Sequence, residues 1–204
     1  LNAFGVGEGV LGQNELSATI ANPTETEQSL RVRLTWWQGE GIALERTLGP
    51  FTPAAGASRE VTVGYDVRQT DAEVHLELAV LDAEGDVLAE RQVSQEIVDV
   101  LALEANRRVL AADQHEMIIR ATMQLSETYL ASSQVILAVF DEEMILEARE
   151  VIEPKDRVMR AELRLPPLET GQHTLHVVVK SGEGDDAQRV AEEKVALQVL
   201  PPVE

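Results

Sequence analysis

Leu30-Arg31-Val32-Arg33-Leu34-Thr35-Trp36 alternates apolar and polar side chains at every step. That two-residue period fits a β-strand with one face buried and one in water, because successive strand side chains point to opposite faces. A helix would need apolar residues three and four apart. The same period recurs outward in both directions. Leu16, Ala18 and Ile20 alternate up to a turn at Asn22-Pro23. Ile42 and Leu44 begin a strand that ends near Gly49-Pro50, and residues 52–56 form a Pro/Ala/Gly connector. Val61, Val63 and Tyr65 alternate next, then Val74, Leu76, Leu78 and Val80. Asp82-Ala83-Glu84-Gly85-Asp86 has the composition of a hairpin turn. Residues 87–93 return from it, and a last strand is expected over 95–103.

The second half repeats the plan. Met117, Ile119, Ala121, Met123 and Leu125 alternate against Arg120, Thr122 and Gln124. Residues 134–140 are apolar on both faces, as a central strand is. Asp141-Glu142-Glu143 turns the chain into 144–151, and Met159, Ala161, Leu163 and Leu165 follow. Leu175, Val177 and Val179 precede a polar loop, and Val195, Leu197 and Val199 form a final strand stopped by Pro201-Pro202. Helix competes with strand over 101–112 (LALEANRRVLAA), a candidate helical joint, and over 144–150 (MILEARE). The latter is too short between turns for a helix and reads as strand.

Composition sets the scale. A chain of 204 residues can hold two sandwich domains of about 100 residues each. Hydrophobic residues make up 44% but aromatics only 3%, so the core must be built from aliphatic side chains. The fold class expected is all-β, two tandem immunoglobulin-like β-sandwich domains over residues 15–104 and 105–204. A short, stiff joint is expected near 104–108, and a Gly-rich extended segment, residues 1–14, precedes the first domain.

The net charge of −19 repels phosphates and anionic surfaces, so nucleic acid and membrane insertion are excluded as expected partners. The acidity fits either a solubilising surface or adaptation to salt; Glu far outnumbers Asp, which favours the first. Lysine occurs only at Lys155, Lys180 and Lys194. The absence of cysteine removes disulfides, thiol catalysis and thiolate metal sites. No apolar run reaches the roughly 18 residues of a membrane span. A start at Leu1 instead of Met fits loss of a leader or a piece of a longer protein. An extracellular, cell-surface or periplasmic location is expected. Asn22-Pro23-Thr24 is no glycan acceptor because of its proline.

Two patterns carry a resemblance. The first half runs Leu16-x-Ala18-x-Ile20-x-Asn22-Pro23-Thr24, then a Leu/Val strand, the connector before Val61-Thr62-Val63, and the hairpin at 82–86. It resembles the bacterial cell-adhesion-related and NEW3-like sandwiches. The second half carries Leu168-Glu169-Thr170-Gly171-Gln172-His173-Thr174-Leu175-His176-Val177. It is similar to a corner of immunoglobulin-like and macroglobulin-like domains, with His173 where an aromatic Tyr is usual. The resemblance implies adhesion, spacing or assembly, and no catalysis.

Site chemistry is sparse. His173 and His176 are three apart and fall on opposite faces of a strand, so they cannot share a metal; His75 and His115 stand alone. The glycines at 5, 7, 9 and 12 lack the preceding strand and following helix of a phosphate loop. The acidic loops at 82–86 and 183–186 offer oxygens for calcium but match no dedicated signature. No Ser, Thr or Lys lies in a nucleophile motif. Trp36-Trp37 puts one aromatic on each face, few for sugar binding. No catalytic, cofactor or metal residues are assigned, and no cofactor is expected.

Residues 1–14 differ from the rest. Leu1, Phe4, Val6, Val10 and Leu11 make them a candidate assembly segment, either packed on their own domain or paired with a neighbour's sheet edge. The expected function is a non-catalytic structural or assembly module acting through protein–protein contacts. It would serve as a subunit of an extracellular fibre or surface complex. The alternatives are a carbohydrate- or calcium-binding accessory domain, or a non-catalytic part of a larger secreted enzyme or viral particle. Protein partners are expected, either further copies in a homo-oligomer or other subunits.

Overall fold

The computed structural model describes the chain apart from Asn2, Glu8, Ile42 and residues 69–72, 98–99, 183–186 and 202–204. Ile42, expected to begin a strand, and the acidic loop 183–186, with its oxygens for calcium, therefore lie outside the described residues. Among the described residues strand makes up 66% and helix 3%, which makes the fold nearly all-β. Contacts divide it into two units, Leu1–Val98 and Asp99–Glu204.

Unit 1 contains β1 (Ala3–Val6), β2 (Gly12–Ala21), β3 (Leu30–Gln38), β4 (Leu44–Phe51), β5 (Ser58–Val67), β6 (Glu73–Leu81) and β7 (Val87–Glu96). One sheet has the order β1-β2-β5 and the other β4-β3-β6-β7. All neighbours are antiparallel. The alternation read from sequence sends Leu16, Ile20, Val63 and Val67 inward from the first sheet and Val32, Leu34, Leu76 and Leu78 inward from the second. Together they form one apolar layer, and full burial of each such side chain contributes about 1.5–3 kcal/mol.

Polar ties fix the two sheets to each other. β5 lies at a sheet edge, where backbone carbonyls lack ladder partners. Trp36 Nε1–H donates to the Asp66 carbonyl at 3.1 Å, and Arg46 donates to the Gly64 carbonyl at 3.1 Å. The Arg59 guanidinium lies 4.6 Å from the centre of the Phe51 ring, a cation–π contact. Asn22 is buried and closes the turn after β2. Its Nδ2 donates to the Thr26 and Pro53 carbonyls at 2.8 and 3.0 Å, and its Oδ1 accepts from Thr24.

Residues 1–14 do not form a separate segment. β2 begins at Gly12, β1 pairs with it, and Val10 and Leu11 are buried in unit 1. Asn14 holds the bend: Val10 N–H donates to its Oδ1 at 2.9 Å, and its Nδ2 donates to the Val10 and Gly12 carbonyls. Gln95 on β7 clamps the segment from the other sheet, donating to the Gly7 carbonyl at 2.8 Å while accepting from the Tyr65 hydroxyl at 2.7 Å. Val10 and Leu11 are therefore consumed locally, by apolar burial and a satisfied polar bend, while Leu1, Phe4 and Val6 stay half-buried.

Unit 2 contains β8 (Leu101–Ala105), β9 (Val109–Ala111), β10 (Glu116–Met123), helix α1 (Glu127–Ala131), β11 (Ser133–Phe140), β12 (Leu146–Ile152), β13 (Val158–Arg164), β14 (Gly171–Ser181) and β15 (Gln188–Leu200). Its sheets run β13-β10-β8 and β12-β11-β14-β15-β9. Met117, Ile119 and Leu163 from the first meet Val135, Leu137, Leu175 and Val177 from the second in the core. Ser126 caps the short helix, its hydroxyl accepting from Tyr129 N–H.

Two expectations are corrected here. The strand expected over 95–103 is two strands: β7 ends at Glu96, and β8 pairs with β10 in unit 2. The division between units consequently falls at 98/99, not near 104–108. The candidate helix over 101–112 is also strand, because Leu101 and Leu110 are drawn into the unit 2 core and tertiary burial outweighs helix propensity.

Burial pushes the Tyr65 hydroxyl up from 10.0 to about 12. The unfolded chain ionises first, so the neutral Tyr65 favours the fold below pH 10 and that contribution is lost as pH rises through about 12. Urea midpoints between these pH values should fall, and should fall less for Tyr65→Phe. A second outcome concerns Gly9, where an added Cβ would lie 2.7 Å from Gln95 Nε2 and 2.9 Å from Ile97 Cγ1. Gly9→Ala should cost about 1–3 kcal/mol by overpacking, read as a lower urea midpoint.

Candidate interaction surfaces

Once the inner faces are used in the cores, chemistry is left to the outer faces, edges and corners. The outer face of the five-stranded sheet in unit 2 is built by residues alternating with the core. On β11 these are Ile136, Ala138 and Phe140; on β14, Thr174, His176 and Val178. Val151 of β12 stands opposite Ile136 and is 46% exposed. Ile136, Phe140 and Val178 are half-buried and Ala138 is buried, so apolar side chains surround Thr174 and His176 on a face that is ordinarily polar when solvated. Phe140 and His176 are in ring contact, with centroids 6.3 Å apart. Charges surround the centre: Arg149 on β12, Lys180 on β14, and Arg189 and Lys194 on β15. Arg189 pairs with Glu192, whereas Arg149, Lys180 and Lys194 form no ion pair among the described residues.

The outer face of the four-stranded sheet in unit 1 carries the opposite charge. Glu45, Glu73, Glu77, Glu90 and Glu96 share it with Arg31 and Arg33. Trp36 and Trp37 separate as alternation requires, Trp36 into the core and Trp37 onto this face, against His75 at 5.5 Å between ring centroids. His75 Nδ1 is 2.8 Å from the Ser94 hydroxyl, which fixes the ring.

The Gly171 corner is well defined. Gly171 has φ +154°, and its neighbour Gln172 N–H donates to Glu142 Oε1 at 3.0 Å. His173 is buried and points inward, on the opposite face from His176. Its Nδ1 lies 2.6 Å from Glu147 Oε2, and its Nε2 lies 2.8 Å from the Glu169 carbonyl. The ring thereby ties back to backbone upstream, the job that a tyrosine hydroxyl does at a sandwich corner. Both of its partners present acceptor atoms in these contacts, so the pair fills a structural role. An open cleft of about 610 Å³ beside it is lined by Asp141, Glu142, Glu143, Glu147 and Glu169.

The remaining sequence candidates are dispersed. In the loop 82–86, Asp82 Oδ1 accepts from the Gly85 and Asp86 N–H groups at 2.8 Å, so that carboxylate serves the turn. Among the described residues, no three His, Asp or Glu side chains are gathered as a metal site would require. Among them, no helix is long and apolar enough to cross a membrane. Of the candidate assembly residues, Val10 and Leu11 are buried in unit 1, while Leu1, Phe4 and Val6 are half-buried, the last two on β1. Sequence reading missed the outer face of unit 2; its signal was the run 134–140, apolar at both parities.

No family model matches the sequence, and no curated protein matches it. Among solved structures, the chain is similar to the crystal structure of red sea bream transglutaminase, with a TM-score of 0.39 and 8% sequence identity. The match covers 98% of this chain and 32% of that one, so the chain spans about a third of that protein's length.

His173→Phe would leave the Glu169 carbonyl and the Glu147 carboxylate without their ring partner. It should cost about 1–3 kcal/mol, measured from urea unfolding, with the strand content of the folded state retained.

Proposed function

We propose that this chain is a non-catalytic structural or assembly module, two tandem immunoglobulin-like sandwiches that act through protein–protein contacts outside the cytoplasm. One observation carries the reading: the outer face of the five-stranded sheet in unit 2 presents the half-buried Ile136, Phe140 and Val178, with charged side chains around them. An apolar centre with a polar rim is the anatomy of a protein interface. The edge strand β12 extends it, with Leu146 and Val151 exposed. An acidic chain of this charge is repelled by nucleic acids and anionic membranes, and the apolar side chains of this face suit a protein surface.

Site-specific photo-crosslinking tests this. A photoreactive residue at Val151 should yield discrete protein adducts in the source cells or their medium. The same probe at the exposed Glu25 in the turn after β2 should not. Equal and diffuse labelling from both positions, or no adduct from Val151, overturns the reading.

A further inference from the structure

The two outer faces described above are complementary to each other. In unit 2, Arg149, Lys180, Arg189 and Lys194 stand against Glu192, and two of the chain's three lysines lie on this one face. In unit 1, five glutamates stand against Arg31 and Arg33. A cationic face is unexpected on a chain of net charge −19, since scattered placement would bury it among carboxylates. Each face also carries an aromatic ring against a histidine, Phe140 with His176 and Trp37 with His75.

We propose that the outer face of the five-stranded sheet of one copy docks on the outer face of the four-stranded sheet of a second copy. The inference rests on the assembly reading above and names the partner. Like faces repel, cation on cation or carboxylate on carboxylate, so the contact joins unlike faces. The apolar residues of the unit 2 face and Trp37 of the unit 1 face supply attraction, and the charges around them supply orientation and rate. Five strands at about 4.8 Å spacing make a face about 24 Å wide, and eight residues run about 26 Å along it. That footprint is of the order a specific interface needs, about 800 Å² per partner. A contact between unlike faces leaves one face of each kind unused at the ends, so addition continues into a row of copies unless the geometry closes a ring.

Charge exchange tests it. The purified chain should associate reversibly in sedimentation velocity between about 1 and about 100 µM, the range usual for a polar contact of this size. Arg149→Glu with Lys194→Glu should weaken association about tenfold or more, and so should Glu90→Lys with Glu96→Lys. All four positions are exposed, and circular dichroism checks that each variant is folded. Mixing the two double variants should restore association, because the unaltered acidic face of the first then meets the unaltered cationic face of the second. A chain that stays monomeric throughout overturns this inference while leaving open an assembly reading with other subunits. Association that neither variant weakens, or that mixing fails to restore, overturns the inference and places self-contact on another surface. The crosslinking at Val151 judges the assembly reading separately.

Discussion

A one-residue slip of β3 against β6 would turn Val32, Leu34 and Trp36 to water and bury Arg31, Arg33 and Thr35. Register is therefore fixed by burial, and the rest of unit 1 is arranged around it. The inner residues of β3 are also the ones that reach the other sheet. Trp36 is in register to bond the Asp66 carbonyl only when Val32 and Leu34 face the core. Arg46, opposite Leu34 on β4, reaches the Gly64 carbonyl under the same condition. Apolar burial thus positions the polar ties, and the polar ties occupy an edge that would otherwise offer free carbonyls to another strand. A core with so few aromatics depends on this agreement, since each aliphatic contact is small and many must be made at once.

The same alternation divides the surface. Every residue that enters the core from a strand obliges its neighbour to face out, so the outer faces are as strictly ordered as the inner ones. On β11 both parities are apolar, and the outer set lacks a counterpart in its own sheet pair. On β6 the outer set is polar over Glu73, His75 and Glu77 and turns apolar only at the buried Ala79 and Leu81. The asymmetry between the units is thus written strand by strand, and it separates cation from carboxylate on a chain whose overall charge hides the difference.

Much of this was legible in the sequence. The alternating strands around Leu30–Trp36 and Met117–Leu125 stand where the period put them, as do the inward Trp36 and the outward Trp37. The hairpin at 82–86 closes through Asp82, as its composition implied. Other features were not local. The pairing of β8 with β10 depends on residues about 15–20 positions away, so the joint between units was placed too late in the chain. Residues 1–14 read as a segment outside the first domain because glycine hides the buried role of Val10 and Leu11, and because the clamp on Gly7 comes from Gln95. Helix α1 follows the capping residue Ser126 within a stretch that alternation does not explain. The cationic face of unit 2 gathers residues from β12, β14 and β15, which only the sheet order brings side by side.

The parallel pairing of β9 with β15 has a bearing on how unit 2 comes into being. Val109, Leu110 and Ala111 stand beside Gln198, Val199 and Leu200, so the second and the last described strands of the unit are neighbours. A contact between segments so far apart in the chain closes only after the intervening residues have collapsed, and the loop entropy must be met before the contact is gained. On a ribosome, the five-stranded sheet of unit 2 cannot be completed until its final strand has emerged. Unit 1 contains all seven of its described strands before that point and is free to fold ahead of it. Unit 1, with its carboxylate-bearing sheet, can therefore be folded while the cation-bearing sheet is still unfinished. The chain's two complementary surfaces come into existence one after the other.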